Sequence, residues 1–234
     1  MRHKVERQRI RFRSSGFMAQ IFRPRSNSIA RFIILFLFLL VAGLAWGLHA
    51  VYWSPLTTRV NVPMEQPVPF SHEHHVGGLG IDCRYCHTSV EKAAFAGIPA
   101  TEICMTCHSQ LWTDAPMLGP VRESFVSGKP IPWRRVHDLP DFVYFNHSIH
   151  VNKGIGCSTC HGPVDRMPLT WQANTLYMKW CLDCHKAPQK FIRPREEIFN
   201  MAWTATPDFV EQQRWTETNH VRLAGLTDCS VCHR

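Results

Sequence analysis

The stretch CRYCHTSVEKAAFAGIPATEICMTCH, residues 83–108, contains two copies of the pattern Cys-x-x-Cys-His. The pattern occurs five times in the chain, and together the copies use all 10 cysteines. We name them, in chain order, motif 1 (residues 83–87), motif 2 (104–108), motif 3 (157–161), motif 4 (181–185) and motif 5 (229–233). Because no cysteine is left over, one chemical role can account for the whole set.

The spacing inside each motif predicts covalent attachment of haem. Two intervening residues put both sulfurs on one face of a helical turn, where they can form thioether bonds to the two vinyl groups of one haem. The histidine that follows stands over the same face and can bind the iron. We therefore predict five c-type haems, attached through Cys83, Cys86, Cys104, Cys107, Cys157, Cys160, Cys181, Cys184, Cys229 and Cys232. The predicted proximal ligands are His87, His108, His161, His185 and His233.

Three other uses of paired cysteines fit the motifs less well. A disulfide within each pair would close a very short loop, stabilise little and leave the histidine without a role. Zinc sites with four ligands each do not divide evenly into the fifteen cysteine and histidine residues of the motifs. Dithiol redox chemistry of the thioredoxin kind needs one pair on a βαβ scaffold, whereas this chain has five pairs.

A hydrophobic run precedes the motifs and predicts a transmembrane helix. Residues 32–53, FIILFLFLLVAGLAWGLHAVYW, contain no Asp, Glu, Lys or Arg. As a helix the run would be about 33 Å long, which is enough to span a bilayer core. A cleaved signal peptide is the alternative, but its apolar part is usually shorter, and Leu48 stands where a cleavage site needs a small residue. We favour an uncleaved anchor.

The charges predict the orientation of that anchor. Residues 1–31 contain nine Lys or Arg and one acid, Glu6, so we expect this tail to stay in the cytoplasm. The chain would then cross the bacterial inner membrane once and place everything after residue 53 in the periplasm. The tail alone accounts for the formal charge of +8, because the remainder is balanced. The basic excess therefore indicates topology and lipid headgroups, and we expect no nucleic-acid partner.

Two parts of the outer region resemble each other in sequence. PVPFSHEHHVGGLGIDC (67–83) matches DFVYFNHSIHVNKGIGC (141–157), and their phenylalanines, Phe70 and Phe145, lie 75 residues apart. Each element of Phe-x-His-x-x-His precedes two motifs. We therefore divide the outer domain, residues 70–234, into repeat copies at 70–108 and 145–185 and a truncated third copy at 219–233, with residues 54–69 as a linker.

The fold class that we predict is mostly α with much irregular structure. Ten of the 16 prolines lie between residues 54 and 146, and they interrupt periodic runs. Short helices are expected at each motif and over residues 120–128, 194–201 and 207–217. No alternation is long enough to indicate a sheet. With so few residues per haem, we expect the haems themselves to form much of the core.

The repeat also selects candidates for the distal axial ligands. They are His72, His75, His147, His150 and His220. We expect the first histidine of each pair to cap the iron of the following motif, motif 1 or motif 3, and the second to face a different haem. By the same rule the single histidine of the third copy would serve motif 5. Five distal histidines would leave every iron six-coordinate, which is typical of an electron carrier.

Two further residues compete for distal positions. His137, in RRVHDLPDF, could replace His220 or a member of either pair, because histidine is a general metal ligand. Met178, three residues before Cys181, is the best methionine candidate, although we prefer a packing role for it.

The element before the paired motifs resembles that of class III multihaem cytochromes, the c3/c7-like proteins. Longer strings resemble the pentahaem cytochrome c subunit of bacterial alternative complex III: FSHEHHVGGLGIDCRYCH, AGIPATEICMTCH, VHDLPDFVYFNHSIHV, CSTCHGPVDRMP and KWCLDCH. The resemblance implies a membrane complex that oxidises menaquinol or ubiquinol. Electrons would pass from an iron–sulfur subunit along the five haems to a monohaem cytochrome c subunit, a soluble carrier or a terminal oxidase.

On this interpretation the chain has no catalytic residues and no small-molecule substrate of its own, and it acts as an electron-transfer subunit. Two alternatives stay open. One is a membrane-anchored quinol dehydrogenase of the tetrahaem type, in which the cytochrome itself receives electrons from quinol. The other is a multihaem reductase of nitrite or a similar small substrate, which would need one haem with an open position.

Overall fold

The computed structural model describes residues 23–205 and 207–233. The chain divides into two units, residues 1–52 and 53–234. Most of the predicted cytoplasmic tail, residues 1–22, lies outside the described residues.

Among the described residues, the first unit is formed by helix α1, which spans Pro24–Trp53. It begins before the hydrophobic run because no residue after Pro24 breaks a helix, and proline suits the first helical position, where no amide donor is needed. The stretch Arg25–Trp53 has a mean hydropathy of 2.5 over its most apolar part and is long enough to cross a membrane. A signal sequence near the N-terminus can meet the same criterion of length and hydropathy, so this criterion alone does not separate an anchor from a signal sequence.

The second unit is built from short helices joined by irregular segments. The α-helices are α2 Pro55–Thr58, α3 Cys83–Cys86, α4 Thr101–His108, α5 Gly119–Ser127, α6 His147–Asn152, α7 Cys157–His161, α8 Met178–Lys186, α9 Phe209–Thr218 and α10 Cys229–Cys232. A π-helical turn covers Glu73–Gly78, and single 3₁₀ turns cover Pro116–Leu118, Val164–Arg166, Pro188–Lys190 and Arg195–Glu197. Across residues 23–205 and 207–233, extended pairing is limited to two isolated bridges, Val60 with Gln172 and Ile155 with Ile192. The predicted fold class is confirmed.

Each motif occupies a helical turn, as its spacing predicts. Motifs 1, 3 and 5 form α3, α7 and α10, while motifs 2 and 4 lie in the C-terminal halves of α4 and α8. In α3 the side chain of Asp82 accepts a hydrogen bond from the backbone amide of Arg84 at 2.8 Å and caps the turn. The paired cysteines of every motif are therefore held on one side of a short helix.

The other predicted helices differ in how well they match. Helix α5 covers the segment predicted over 120–128 and ends at Gly128, whose φ of +68° suits glycine. Helix α9 covers the segment predicted over 207–217, and Asp208 caps it. The prediction over 194–201 is wrong, because only the 3₁₀ turn Arg195–Glu197 forms there. In that segment the carbonyls of Glu197 and Asn200 bind the guanidinium of Arg193 instead of continuing a helix.

Residues 54–69, which we predicted as a linker, contact the rest of the second unit along their length. Thr58 is 6% exposed and Val68 is 4% exposed. The Gln66 side chain forms two hydrogen bonds of 2.9 Å with the backbone of Arg134, one in each direction. This segment is thus fixed to the outer domain before the first motif begins.

The apolar core of the second unit is small. One buried cluster contains Val68, Val121 and Ile131, and another contains Val90, Val151 and Ile198. A unit of this length usually needs more buried apolar area or additional cross-links to be stable. The small core is what we expect of a domain whose interior is completed by prosthetic groups.

Candidate haem-binding site

The two histidine pairs of the repeat have the same local geometry around their phenylalanines. The Phe70 ring stacks on His75 with centroids 4.4 Å apart and meets His72 edge-on at 4.9 Å. In the second copy Phe145 stacks on His150 at 4.5 Å, and its edge contact with the first histidine, His147, is 4.7 Å. Each phenylalanine thus fixes two imidazoles in different directions, and the sequence repeat is also a structural repeat.

Three of these four histidines face the histidine of a motif. The ring centroids are 6.2 Å apart for His75 and His108, 6.3 Å for His147 and His161, and 6.1 Å for His150 and His185. Imidazole binds transition metals with bonds of about 2 Å, so two imidazoles on opposite sides of one iron have centroids roughly 6 Å apart. The interplanar angle is not restricted, because each ring can rotate about its own bond to the metal. The three pairs therefore have the separation that an iron between them requires.

The fourth histidine, His72, lies near the histidine of motif 1. Its pKa is lowered to about 4, mainly by burial and then by the neighbouring imidazoles of His87 and His75. His72 is thus close enough to His87 for the two imidazoles to interact electrostatically, and its ligation of the iron of motif 1 stays a prediction.

Hydrogen bonds fix the orientation of eight of these imidazoles through Nδ1. In the repeat elements, Nδ1 of His75, His147 and His150 donates to the carbonyls of Ser71, Ala94 and Asn146, and Nδ1 of His72 bonds the Thr170 hydroxyl. In the motifs, Nδ1 of His87, His108, His185 and His233 donates to the carbonyls of Gly97, Leu111, Leu226 and Phe142. An Nδ1–H donor leaves the lone pair on Nε2, which is the usual arrangement of a metal-binding histidine.

Burial keeps several of these imidazoles neutral, so that their Nε2 lone pairs stay available. The pKa of His161 is lowered to about 3, mainly by burial and then by nearby imidazoles, His137 first among them. Burial also lowers the pKa of His75 and of His150, against the opposing effect of their own backbone hydrogen bonds. Neutral imidazole is the form that binds iron.

The cysteines of the motifs also suit haem attachment. All ten are free thiols, so the alternative of a disulfide within each motif has no support in the structure. Burial raises the pKa of Cys160 to about 12 and that of Cys184 to about 11. Cys83 and Cys157 are the first cysteines of motifs 1 and 3, and the neighbouring Cys157 thiol lowers the pKa of Cys83 to about 7. Paired free thiols beside oriented imidazoles are the donor set that c-type haem requires.

Motif 5 has a different environment from the other four. The ring of its histidine, His233, stacks on Phe142 with centroids 5.9 Å apart. Our candidate for its distal ligand, His220, is exposed and has a φ of +51°. Among the described residues His220 makes no ring contact with His233.

The repeat argument for His220 rested on Asn219-His220 matching Asn146-His147, and the local structures differ. Asn146 precedes α6, and its side chain accepts a hydrogen bond from the amide of Ile149. Asn219 follows α9 and is 1% exposed, with its side-chain amide donating to the carbonyls of Trp215 and Arg193. The two asparagines therefore have different structural roles although their sequences match. Ligation of the motif 5 iron by His220 stays a prediction, and the repeat no longer supports it.

The two reserve candidates lie in contrasting places. His137 packs on the histidine of motif 3, with its ring centroid 4.3 Å from that of His161. Its Nε2 atom is buried and has no hydrogen-bond partner, and burial lowers its pKa to about 4. A separation of 4.3 Å is too short for two ligands on opposite sides of one iron. Met178 is the first residue of α8 and is 60% exposed.

One residue of the site was missed in the sequence. Arg193 is 2% exposed, and its guanidinium donates to the hydroxyls of Ser158 and Thr159, the two residues between the cysteines of motif 3. It also lies over the ring of Trp203, 4.4 Å from the centroid. A Cβ atom on Gly156 would lie 2.1 Å from this guanidinium, so a larger residue at position 156 would force the Arg193 side chain to move. A single arginine far along the chain carries no sequence pattern that could have identified it.

The second half of the chain is similar to a known family of cytochromes. Residues 143–234 match the family model described as cytochrome c7 and related cytochrome c. Over these residues the paired cysteines and histidines thus occur in a sequence that is similar to c7-like multihaem cytochromes c. The resemblance to c3/c7-like proteins is confirmed at this level.

A relative of known function gives a more specific comparison. The menaquinone reductase multihaem cytochrome c subunit of Nitratidesulfovibrio vulgaris is 37% identical over 123 residues, which are 52% of this chain and 55% of that protein. The chain thus spans about half the length of this relative. The relative is named for a menaquinone reductase, so the comparison supports a multihaem subunit without specifically supporting alternative complex III.

Proposed function

We propose that the chain is an electron-relay subunit with five covalent haems, one on each motif. The observation that carries this proposal is the set of histidine pairs at 6.1–6.3 Å whose Nδ1 atoms are held by hydrogen bonds. Bound haem supplies one-electron transfer by cycling between the ferric and ferrous states. The histidines would bind the iron of this group and the cysteines would attach it covalently, while the backbone carbonyls set the direction of the imidazoles that they hold.

The pairs favour a relay over a substrate-reducing enzyme. A haem with histidine on both sides has no open position and acts as an electron carrier. We propose His72, His75, His147 and His150 as the distal ligands for motifs 1, 2, 3 and 4 respectively. His220 remains our proposed ligand for motif 5. The nitrite-reductase alternative would need an open iron, and motif 5 is where such a position would have to lie.

We propose that the relay belongs to a membrane complex that reacts with menaquinone. The relative is named as a subunit of a menaquinone reductase, which favours electron flow towards the quinone. Electrons would then enter from a periplasmic one-electron carrier and pass along the haems to a partner subunit. The second candidate is quinol oxidation in a complex like alternative complex III, with an iron–sulfur subunit and a monohaem cytochrome c as partners. The sequence strings quoted above favour that direction.

We also propose that α1 is an uncleaved anchor in the bacterial inner membrane. Its length and composition support a membrane span, and the basic residues of the tail support a cytoplasmic N-terminus. N-terminal sequencing of the mature protein tests this point. A sequence that begins at residue 1 or 2 is expected, whereas one that begins near residue 50 would show a cleaved signal sequence.

The direction of electron flow can be tested on the native complex purified in detergent. The holo complex is mixed with reduced periplasmic cytochrome and a menaquinone analogue, and in a matched assay with oxidised cytochrome and the corresponding menaquinol. Faster turnover with menaquinone as the acceptor supports the reductase proposal, and faster turnover with menaquinol supports the second candidate. If carbon monoxide bound readily to the haems of motifs 1 to 4 in the reduced protein, the relay proposal itself would be wrong.

A further inference from the structure

Motif 1 lies directly against motif 2. The hydroxyl of Tyr85, between the two cysteines of motif 1, is hydrogen-bonded at 2.8 Å to the hydroxyl of Thr106, between the two cysteines of motif 2. The histidines that face these motifs, His72 and His75, come from one short segment and share contacts with Phe70. The two attachment sites of the first copy are therefore neighbours.

Motif 1 also lies directly against motif 3, its equivalent in the second copy. The amide of Cys157, in motif 3, donates to the carbonyl of Ile198 at 3.2 Å, and the guanidinium of Arg84, in motif 1, lies over the ring of the adjacent Phe199, 4.4 Å from the centroid. Cys83 in motif 1 and Cys157 in motif 3 are also close enough to change each other's pKa. These two cysteines occupy the same place in the two copies. Contact between equivalent residues is what a two-fold relation between two copies produces.

The packing around this contact is reciprocal, as a two-fold relation requires. The His72 imidazole is held at 3.0 Å by Thr170, and the amide of Glu73 donates to the carbonyl of Met167; both partners follow motif 3. In the other direction, the amide and the ring of His147 both donate to the carbonyl of Ala94, which follows motif 1. Each histidine element is thus held by the segment that follows the first motif of the other copy.

The remaining motifs continue from motif 3. Helix α6 carries His147 and His150, which face the histidines of motifs 3 and 4, so these two motifs meet at one helix. The histidine of motif 4, His185, donates from Nδ1 to the carbonyl of Leu226 at 2.7 Å. Leu226 stands three residues before the first cysteine of motif 5. Motif 5 therefore lies beside motif 4.

We propose that the five attachment motifs are arranged in space in the order 2–1–3–4–5, with a pseudo-two-fold axis between motifs 1 and 3. Motifs 2 and 5 are then the ends of the relay. Chain order would instead have made motif 1 an end and placed motif 2 next to motif 3. Because electron tunnelling weakens steeply with distance, a relay that uses all five haems takes up electrons at one of these two ends and releases them at the other. The inference depends on the proposed function in one respect, which is that all five motifs carry haem.

The order can be measured on the full-length wild-type holoprotein in detergent. Nuclear Overhauser contacts between haem protons of the fully reduced protein report which haems adjoin each other. Single variants His72→Met, His75→Met, His147→Met and His150→Met assign the haem signals, because each changes the spectrum of one haem. We expect contacts between the haems of motifs 1 and 2, 1 and 3, 3 and 4, and 4 and 5. Contacts between the haems of motifs 2 and 3, with none between 1 and 3, would overturn the order.

A second measurement uses the midpoint potentials of the haems instead of contacts between haem protons. Methionine ligation raises a haem potential, so His147→Met makes the haem of motif 3 ferrous earlier in a reductive titration. The haems next to that of motif 3 are then reduced while the motif 3 haem has a different charge from the one it has in the wild type. We expect the midpoint potentials of the haems on motifs 1 and 4 to shift and that of motif 2 to stay unchanged. A shift at motif 2 with none at motif 1 would contradict the proposal.

These measurements separate the order from the proposed function. The potentials are set with chemical mediators, so no quinone or partner subunit is needed. Mass spectrometry of the holoprotein counts the attached haems independently. A protein with five haems that fails the quinone assays but shows contacts between motifs 1 and 3 would refute the function and support the order. A protein with five haems in chain order and normal quinone activity would refute the order and support the function.

Discussion

At the scale of single residues, function depends on imidazoles whose direction is set by backbone carbonyls. The carbonyls of Ser71 and Asn146 hold the second histidine of each pair, at 2.8 and 2.7 Å. Each of these carbonyls lies four residues before the histidine that it holds, so the contact is local and follows from the sequence spacing. The partners of the first histidines, Thr170 and Ala94, come from distant parts of the chain. Only the folded structure could identify them.

The first residue-scale prediction concerns His75. Replacing it by methionine is expected to raise the potential of the haem on motif 2 and to change the other four much less, because methionine stabilises the ferrous state. The measurement is a spectroscopic redox titration of the holoprotein. The adjacent and exposed His74 is the matched control, and His74→Met should leave all five potentials as they are. If the two variants behaved alike, His75 would not be a ligand.

The second residue-scale prediction concerns Arg193. Lysine has the charge of arginine but not its planar set of donors, so Arg193→Lys leaves two half-buried hydroxyls of motif 3 without this partner. We expect a loss of about 1–3 kcal/mol in the free energy of unfolding of the holoprotein. The exposed Arg222 is the control, and Arg222→Lys should change this free energy by less than about 0.5 kcal/mol. Equal losses in both variants would rule out a special role for Arg193.

At the scale of elements, helices α3, α6 and α9 have side-chain N-caps, from Asp82, Asn146 and Asp208, and helices α3, α4, α7, α8 and α10 carry the motifs. Helix α6 begins after Asn146, whose side chain accepts from the Ile149 amide and from the Ser148 hydroxyl. The sequence identified the helices at the motifs, at α5 and at α9. It failed over 194–201, where Arg193 takes the carbonyls that a helix would use. The sequence comparison also failed for Asn219. Asn146 caps the start of a helix and Asn219 follows the end of one, and the sequence alone does not distinguish these two roles.

The element-scale prediction tests the cap of α6. Asn146→Ala removes the capping oxygen and is expected to cost about 1 kcal/mol in the free energy of unfolding. It should also loosen the helix that carries His147 and His150 and broaden the spectra of the haems on motifs 3 and 4. Asn146→Ser is the matched control, since serine caps about as well as asparagine. Amide exchange across α6 is the second readout, and unchanged exchange in the alanine variant would contradict this role.

At the scale of the whole outer unit, the two repeat copies stabilise each other across the contact between motifs 1 and 3. The turn Glu73–Gly78 of the first copy lies against Asp165 and Met167, which follow motif 3. The approach is close at Gly77, where an added Cβ would lie 2.3 Å from the carbonyl oxygen of Asp165. At Gly78, in the same turn, the nearest atom would be 3.7 Å away.

These two glycines give a matched test of the contact between copies. Gly77→Ala should force the turn away from motif 3, cost about 1–3 kcal/mol in the free energy of unfolding, and alter the spectra of the haems on motifs 1 and 3. Gly78→Ala should alter neither, since its methyl group has room. Denaturant unfolding and haem spectra of the two holoproteins check this. If Gly78→Ala were as disruptive as Gly77→Ala, the effect would come from the turn itself and not from the contact.

The sequence by itself determined the attachment motifs, the apolar helix, the repeat and the mostly helical class, because these follow from local spacing and composition. It also selected four histidines that the structure brings to motif histidines. The tertiary structure alone decided that motif 1 meets motif 3, that Arg193 fills the space beside Gly156, and that Asn219 is buried after α9. Each of these depends on which distant segments pack together. A repeat in sequence fixes the shape of each copy, whereas the arrangement of the copies is set by contacts that no local pattern encodes.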